Sequence, residues 1–304
     1  MSAPPGNESA PRGTETASPA TESALLAADS FRVRVAHGRA EVRSFERHLA
    51  RFTATATAAW LDADPSAQPD AVSAALTRFL AEARTRIAEA GEGFPRLELW
   101  APATPPRAGQ TAGLGPERTA ADRAPSAEPH LALAIRPLPP LRDDIELVAP
   151  PAGTATMVPE REHPERKGPN IARYAALARE LSVGAAAQEP LLVDAAGHVA
   201  EGATTSLVWW PEGSKCEARG QVSALPQRVA SVMEATLREA LPDLMPALAT
   251  VDELSRSEVW AVNALHGVRP ATRLNGSPLP PADPARLAAA RAVLDHAWEP
   301  VLGR

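Results

Sequence analysis

The run Leu191-Leu192-Val193-Asp194-Ala195-Ala196-Gly197-His198-Val199-Ala200-Glu201-Gly202, followed by Thr205-Ser206-Leu207-Val208-Trp209-Trp210, is the stretch from which the rest of the chain can be placed. Apolar segments flank an Ala-Ala-Gly-His turn and a third follows at once, which reads as three consecutive strands. Glu201 is the charged side chain at the end of the second of these segments. Upstream, Lys167-Gly168-Pro169-Asn170 leads into residues 170–181, where Ile171, Tyr174, Ala175 and Ala178 share one stripe. That spacing predicts a helix, with Gly184 as its stop. Downstream, Leu225-Pro226-Gln227-Arg228 precedes Val229, Val232, Met233, Leu237 and Leu241, the buried face of a helix expected to begin at Pro226. A lysine, a glutamate and a helix N-terminus on neighbouring elements suit a ligand that carries an aldehyde, a ring nitrogen and a phosphate.

The 304 residues can bury a sizeable core, and their number favours two domains over one. With 44% hydrophobic and 22% charged residues, the chain belongs among ordinary globular proteins. A net charge of −6 argues against nucleic-acid binding, which needs a basic face. No apolar run has the length of a membrane span. The single cysteine, Cys216, excludes an internal disulfide and cysteine-based zinc spacings, and fits a reducing cytosol. His37 and His163 stand at no metal-ligand spacing, so no metal is assigned. The start of the chain lacks the apolar core of a signal peptide, and the expected location is cytoplasmic.

Three regions follow from the patterning. Residues 1–24 are Ser, Thr, Ala, Pro, Gly and Glu with almost no large apolar side chains, which predicts a disordered tail. Residues 25–150 read as a small first domain with strands on both sides of Gly38 and helices over 44–59 and 69–90. Further strands are expected at 97–100, 131–136 and 145–148, with a flexible Pro- and Ala-rich insertion at about 101–128. Residues 151–304 read as the second domain, opened by a connection over 150–164. It continues through the strand Glu258-Val259-Trp260-Ala261-Val262-Asn263 and closes with a helix over 284–298.

These motifs together resemble the class IV aminotransferases, the fold-type IV pyridoxal-phosphate enzymes. The likeness runs from about Ser30 to Arg273. In the first domain it rests on Val35-Ala36-His37-Gly38-Arg39 followed by His48-Leu49-Ala50-Arg51-Phe52. In the second it rests on Lys167 with Asn170, the Leu192 to Gly202 run, Leu225-Pro226 and Val262-Asn263-Ala264-Leu265. Lys167 and Glu201 stand 34 positions apart, close to the family's own spacing. The resemblance implies an α+β, two-domain architecture, with a small N-terminal α/β domain and a larger, pseudo-barrel-like C-terminal one.

It also implies roles and a cofactor, pyridoxal 5′-phosphate. Lys167 would form the Schiff base and then shuttle a proton. Glu201 would keep the pyridine nitrogen protonated. Arg51 would grip the phosphate, the N–H groups around Val229 would face it, and Asn263 would donate to the phosphate or a substrate carboxylate.

Three departures stand out. Gln227-Arg228-Val229-Ala230 replaces the family's small residue and phosphate-binding hydroxyl, leaving Arg228 as a substitute cation. Ile171 and Ala172 stand where many members have a tyrosine, and the N-terminal strand is shortened to 25–30. The resemblance implies a homodimer acting on a small amino acid by amino-group transfer to a 2-oxo acid. The alternatives are an aminodeoxychorismate lyase releasing pyruvate and 4-aminobenzoate, towards which Asn263-Ala264-Leu265 leans, and a non-catalytic relative with weakened cofactor binding.

Overall fold

The computed structural model describes residues 24–102, 128–156, 163–181, 188–213, 219–241 and 243–303. The tail at 1–23, the insertion at 103–127, Gly184 and Cys216 lie outside the described residues.

The chain opens with β1 (Leu25–Ser30) and a hairpin of β2 (Val33–Ala36) and β3 (Arg39–Arg43). The hairpin turns at His37-Gly38, both at positive φ, which Gly38 adopts without strain. Two helices follow, α1 (Phe45–Ala63) and α2 (Pro69–Ala90). The first runs four residues beyond the expected end at 59. β4 (Arg96–Trp100) and β5 (His130–Ala134) complete an antiparallel sheet in the order β1-β4-β5. Phe45 and Phe52 of α1 and Leu76 and Ile87 of α2 pack on Leu97 and Leu99 of that sheet. Each such side chain contributes about 1.5–3 kcal/mol by leaving water.

The remaining elements are β6 (Ile145–Val148), α3 (Ile171–Glu180), β7 (Gln188–Val193), β8 (Val199–Gly202), β9 (Ser206–Trp210) and β10 (Gln221–Ser223). After them come α4 (Val232–Ala240), β11 (Met245–Ala247), α5 (Val251–Ser255), β12 (Glu258–Asn263) and β13 (Gly267–Leu274). The chain closes with β14 (Ser277–Pro278), α6 (Pro284–His296) and β15 (Trp298–Pro300). The large sheet runs β11-β10-β9-β12-β13-β6-β7-β8, with β14 beside β13. It curls into a half-barrel, so that Ser223 of β10 donates to the Val199 carbonyl of β8 at 3.2 Å.

β6 falls within the residues read as the first domain, and it pairs in parallel with both β13 and β7 of the large sheet. Its alternating Ile145 and Leu147 are nearly fully buried in a cluster with Leu191 and Leu274, so apolar burial draws it into the large sheet. The helix expected from Pro226 begins at Val232 instead. The Ser231 side chain accepts from the Glu234 amide at 3.2 Å and so caps the helix, six residues downstream. The Ser-x-x-Glu spacing at 231–234 is the stronger start signal.

Candidate active site

The fold brings Lys167 and Glu201 onto the lining of one cavity of about 540 Å³, with Arg51, His48, Arg136, Ser231 and Asn263 around it. Lys167 is held there by its main chain. Its carbonyl accepts from the Ala28 amide of β1 at 2.7 Å. Gly168 makes that approach possible, with φ at 129° and room for no side chain: a Cβ would stand 2.8 Å from the Ala28 nitrogen. Burial and the Arg51 guanidinium push the Lys167 ammonium down to about 8, while Asp29 and Glu201 oppose the shift. Glu201 is buried on β8, opposite Leu192 of β7, and an oxygen of its carboxylate accepts from the Val229 amide at 3.4 Å.

Arg51 projects from α1 and is anchored on both sides. Its Nε and Nη2 donate to the two carboxylate oxygens of Asp29, each at 2.8 Å, and its Nη1 donates to the Ala230 carbonyl at 2.8 Å. The fork-to-fork pair with Asp29 fixes the guanidinium plane. Burial works against charge on Asp29, yet Arg51 and His48 hold its carboxyl well below the usual range. Burial in turn pushes His48 down, opposed by Asp29. Its Nδ1 lies 2.9 Å from Asp29, which assigns the proton there. Its Nε2 is buried and has no hydrogen-bond partner among the described residues. The first turn of α4, Ser231 to Met233, lines the same cavity, so a capped helix N-terminus faces it.

The family model described as amino-transferase class IV matches residues 27–274. The chain belongs to that family. No curated protein matches its sequence. Among solved structures, a branched-chain amino acid aminotransferase from T.th., complexed with N-(5′-phosphopyridoxyl)-L-glutamate, superposes with a TM-score of 0.62 at 17% identity, covering 91% of this chain and 89% of that one. A putative 4-amino-4-deoxychorismate lyase from Legionella pneumophila gives 0.61 at 14%, covering 90% and 91%. The fold IV-transaminase CpuTA1 from Curtobacterium pusillum gives 0.61 at 20%, covering 93% and 90%. At these identities the likeness is one of fold.

Class IV aminotransferases depend on pyridoxal phosphate, and the cavity can be compared with that group. Lys167, Glu201 and Arg51, distant in sequence, line this one cavity. The other residues singled out from sequence stand differently. Arg228 forms a two-pronged pair with Glu234, at 2.5 and 2.8 Å, and does not line the cavity. Val229 lies ahead of α4 rather than within it, with its amide on Glu201. Asn263 lines the cavity while its side-chain oxygen caps its own turn, accepting from the Leu265 and His266 amides at 3.2 and 2.9 Å.

Sequence reasoning missed Asp29 and Arg136. A carboxylate within the apolar run Leu25-Leu26-Ala27-Ala28-Asp29 was its own signal, because a buried charge needs partners, and His48 and Arg51 supply them at helical spacing. Arg136 follows β5, donates to Ser30 Oγ and the Phe94 carbonyl at 3.1 Å each, and lies over the Phe94 ring.

Proposed function

We propose that this chain binds pyridoxal 5′-phosphate in the cavity of Lys167 and Glu201 and transfers an amino group between an amino acid and a 2-oxo acid. When bound, the cofactor supplies an electron-withdrawing ring that stabilises negative charge on the neighbouring substrate carbon. The observation that carries the reading is that Lys167, Glu201 and Arg51, distant in sequence, line one cavity in which the lysine is shifted to about 8. An amine so shifted holds both protonation states near neutral pH. It can therefore provide the covalent anchor and afterwards take and return a proton at the substrate carbon. Glu201 holds a proton on the ring nitrogen. Arg51, preset by Asp29, and the first turn of α4 receive the phosphate. Arg136 and Ser30 offer a cation and a hydroxyl to a substrate carboxylate.

Purified protein mixed with pyridoxal 5′-phosphate is expected to turn yellow, and borohydride to fix the label on the peptide containing Lys167. Protein that stays colourless at millimolar cofactor overturns the reading. Lyase chemistry on aminodeoxychorismate remains a second reading, favoured by the Asn263-Ala264-Leu265 turn on the cavity wall. Pyruvate release from that substrate, without amino transfer to 2-oxoglutarate, selects it. A cytoplasmic homodimer belongs to the same proposal, and sedimentation at micromolar concentration tests the dimer. Among the described residues no helix is long and apolar enough to cross a membrane.

A further inference from the structure

Behind the turn at 264–267 lies a second cavity of about 240 Å³, bounded by four arginines from four parts of the chain. Arg32 precedes β2, Arg43 ends β3, Arg142 lies in the connection before β6, and Arg291 projects from α6. Such convergence is costly without a counter-charge, because like charges repel and buried ones lose hydration. The carboxylates on the lining are Asp143 and Asp295, so four cations face two anions in a chain whose net charge is −6. Glu92 also acts on Arg32.

The two inner arginines are built into place. The guanidinium of Arg43 lies 4.3 Å from the Trp298 ring centre, and that of Arg32 lies 5.7 Å away. Arg43 donates Nε to the Leu294 carbonyl at 3.2 Å and Nη2 to Asp295 at 3.0 Å. Its Nη1 and the Nε of Arg32 are shielded from solvent and have no hydrogen-bond partner among the described residues. Gly267, at φ 78°, leaves the space that Arg43 needs, since a Cβ there would stand 3.3 Å from Nη1. The outer arginines, Arg142 and Arg291, are exposed at the rim. Arg291 reaches the Asp143 carbonyl at 3.3 Å.

His266 adds a donor but no charge. Its Nδ1 accepts from the Arg142 amide at 3.3 Å, which places the proton on Nε2. Burial and the neighbouring Arg269, Arg142 and Arg32 push it down to about 4.

We propose that this cavity binds a phosphate group, free or as the ester of a small molecule. Four guanidinium groups from four separate segments offer more donors than a planar carboxylate needs, since one fork satisfies it, and suit the several oxygens of a phosphate. Occupancy also steadies the turn between the two cavities. The Arg32 amide donates to the Ala264 carbonyl at 3.2 Å, and Asn263 to Leu265 line the candidate active site on the other side. The site stands independently of the pyridoxal phosphate reading.

Calorimetric titration of the full chain with inorganic phosphate and with glycerol 3-phosphate, at ionic strength matched by sodium chloride, tests it. Binding of either anion is expected, weakened about tenfold or more in the Arg142→Gln/Arg291→Gln double variant, as loss of charge-assisted hydrogen bonds requires. These rim side chains are exposed, so the variant keeps its fold, which circular dichroism checks. Heat from phosphate alone, or from the ester alone, supports the site and says which form it takes. Absence of binding by both, or binding unchanged in the double variant, overturns it. Repeating the titration on protein preloaded with pyridoxal 5′-phosphate separates this cavity from the larger one. If the cofactor does not bind, the first titration still decides.

Discussion

Lys167 and Asp29 show how opposed charges in a cleft set the properties of single groups. The lysine is shifted to about 8 from its ordinary 10.5, so the unfolded chain binds more protons than the folded one between those values. Its charged form therefore costs stability below about pH 8, and the cost is relieved as pH rises from there. Lys167→Met is expected to abolish cofactor capture while raising the melting temperature of the unliganded protein at pH 7 by about 2–4 °C for each kcal/mol relieved. Calorimetry reads the second effect, and no rise would contradict the buried-charge account. Cofactor capture, which needs the neutral amine, is expected to speed up with pH through about 8.

Asp29 has the opposite sign, its carboxyl held well below the usual range. The stability it contributes is fully present above the unfolded carboxylate value and is lost as pH falls towards the folded one. Asp29→Asn leaves Arg51 without its two-pronged acceptor, at an expected cost of about 3–5 kcal/mol in urea unfolding. The two residues were not equally legible in the sequence. Lys167 stood in a motif, whereas Asp29 is a short polar residue whose partners come from α1.

At the scale of elements, contacts between strands and turns determine whether the functional side chains meet. The Lys167-Gly168 backbone crosses β1 so closely that a methyl group at 168 would collide with Ala28 and Ala27, at 2.8 and 2.9 Å. Gly168→Ala is therefore expected to break the Ala28-to-Lys167 hydrogen bond. It should cost about 1–3 kcal/mol of backbone strain and weaken cofactor binding at least as much as stability. Titration with pyridoxal 5′-phosphate beside a melting curve checks it. A variant that binds normally would remove β1 from the account of Lys167. α4 gives a second case. Ser231→Ala is expected to lower stability by about 1 kcal/mol through loss of the cap, measured by urea unfolding. Proline at 226 pointed to a helix start by propensity, but Pro226 only opens a turn in which its carbonyl accepts from the Arg228 amide. Side-chain capping at 231 outweighed that local preference.

Over the whole molecule, the C-terminus closes on the beginning of the chain. β15 pairs with β3, and Val301 is fully buried in the core of the first helices and strands. Truncation after Ala297 is expected to cost at least the roughly 1.5–3 kcal/mol of burying that valine. It should also free Arg34 and Arg43 from Trp298, which they approach at 4.2 and 4.3 Å. A single cooperative melting transition at lower temperature would agree with this. An unchanged transition would not.

Most helices, the longer strands, the family and the motif that carries Lys167 and Glu201 were legible in the sequence, because apolar periodicity and turn residues are local and the motif keeps its spacing. Short strands such as β10, β11 and β15 have too few residues to show a period. Long-range packing set where β6 sits, that Arg228 answers Glu234, that Asp29 presets Arg51, and that four arginines share a second cavity. Those outcomes depend on which charges and apolar faces meet across long separations. Burial and pairing decide that once the chain has folded, and no window of sequence contains it.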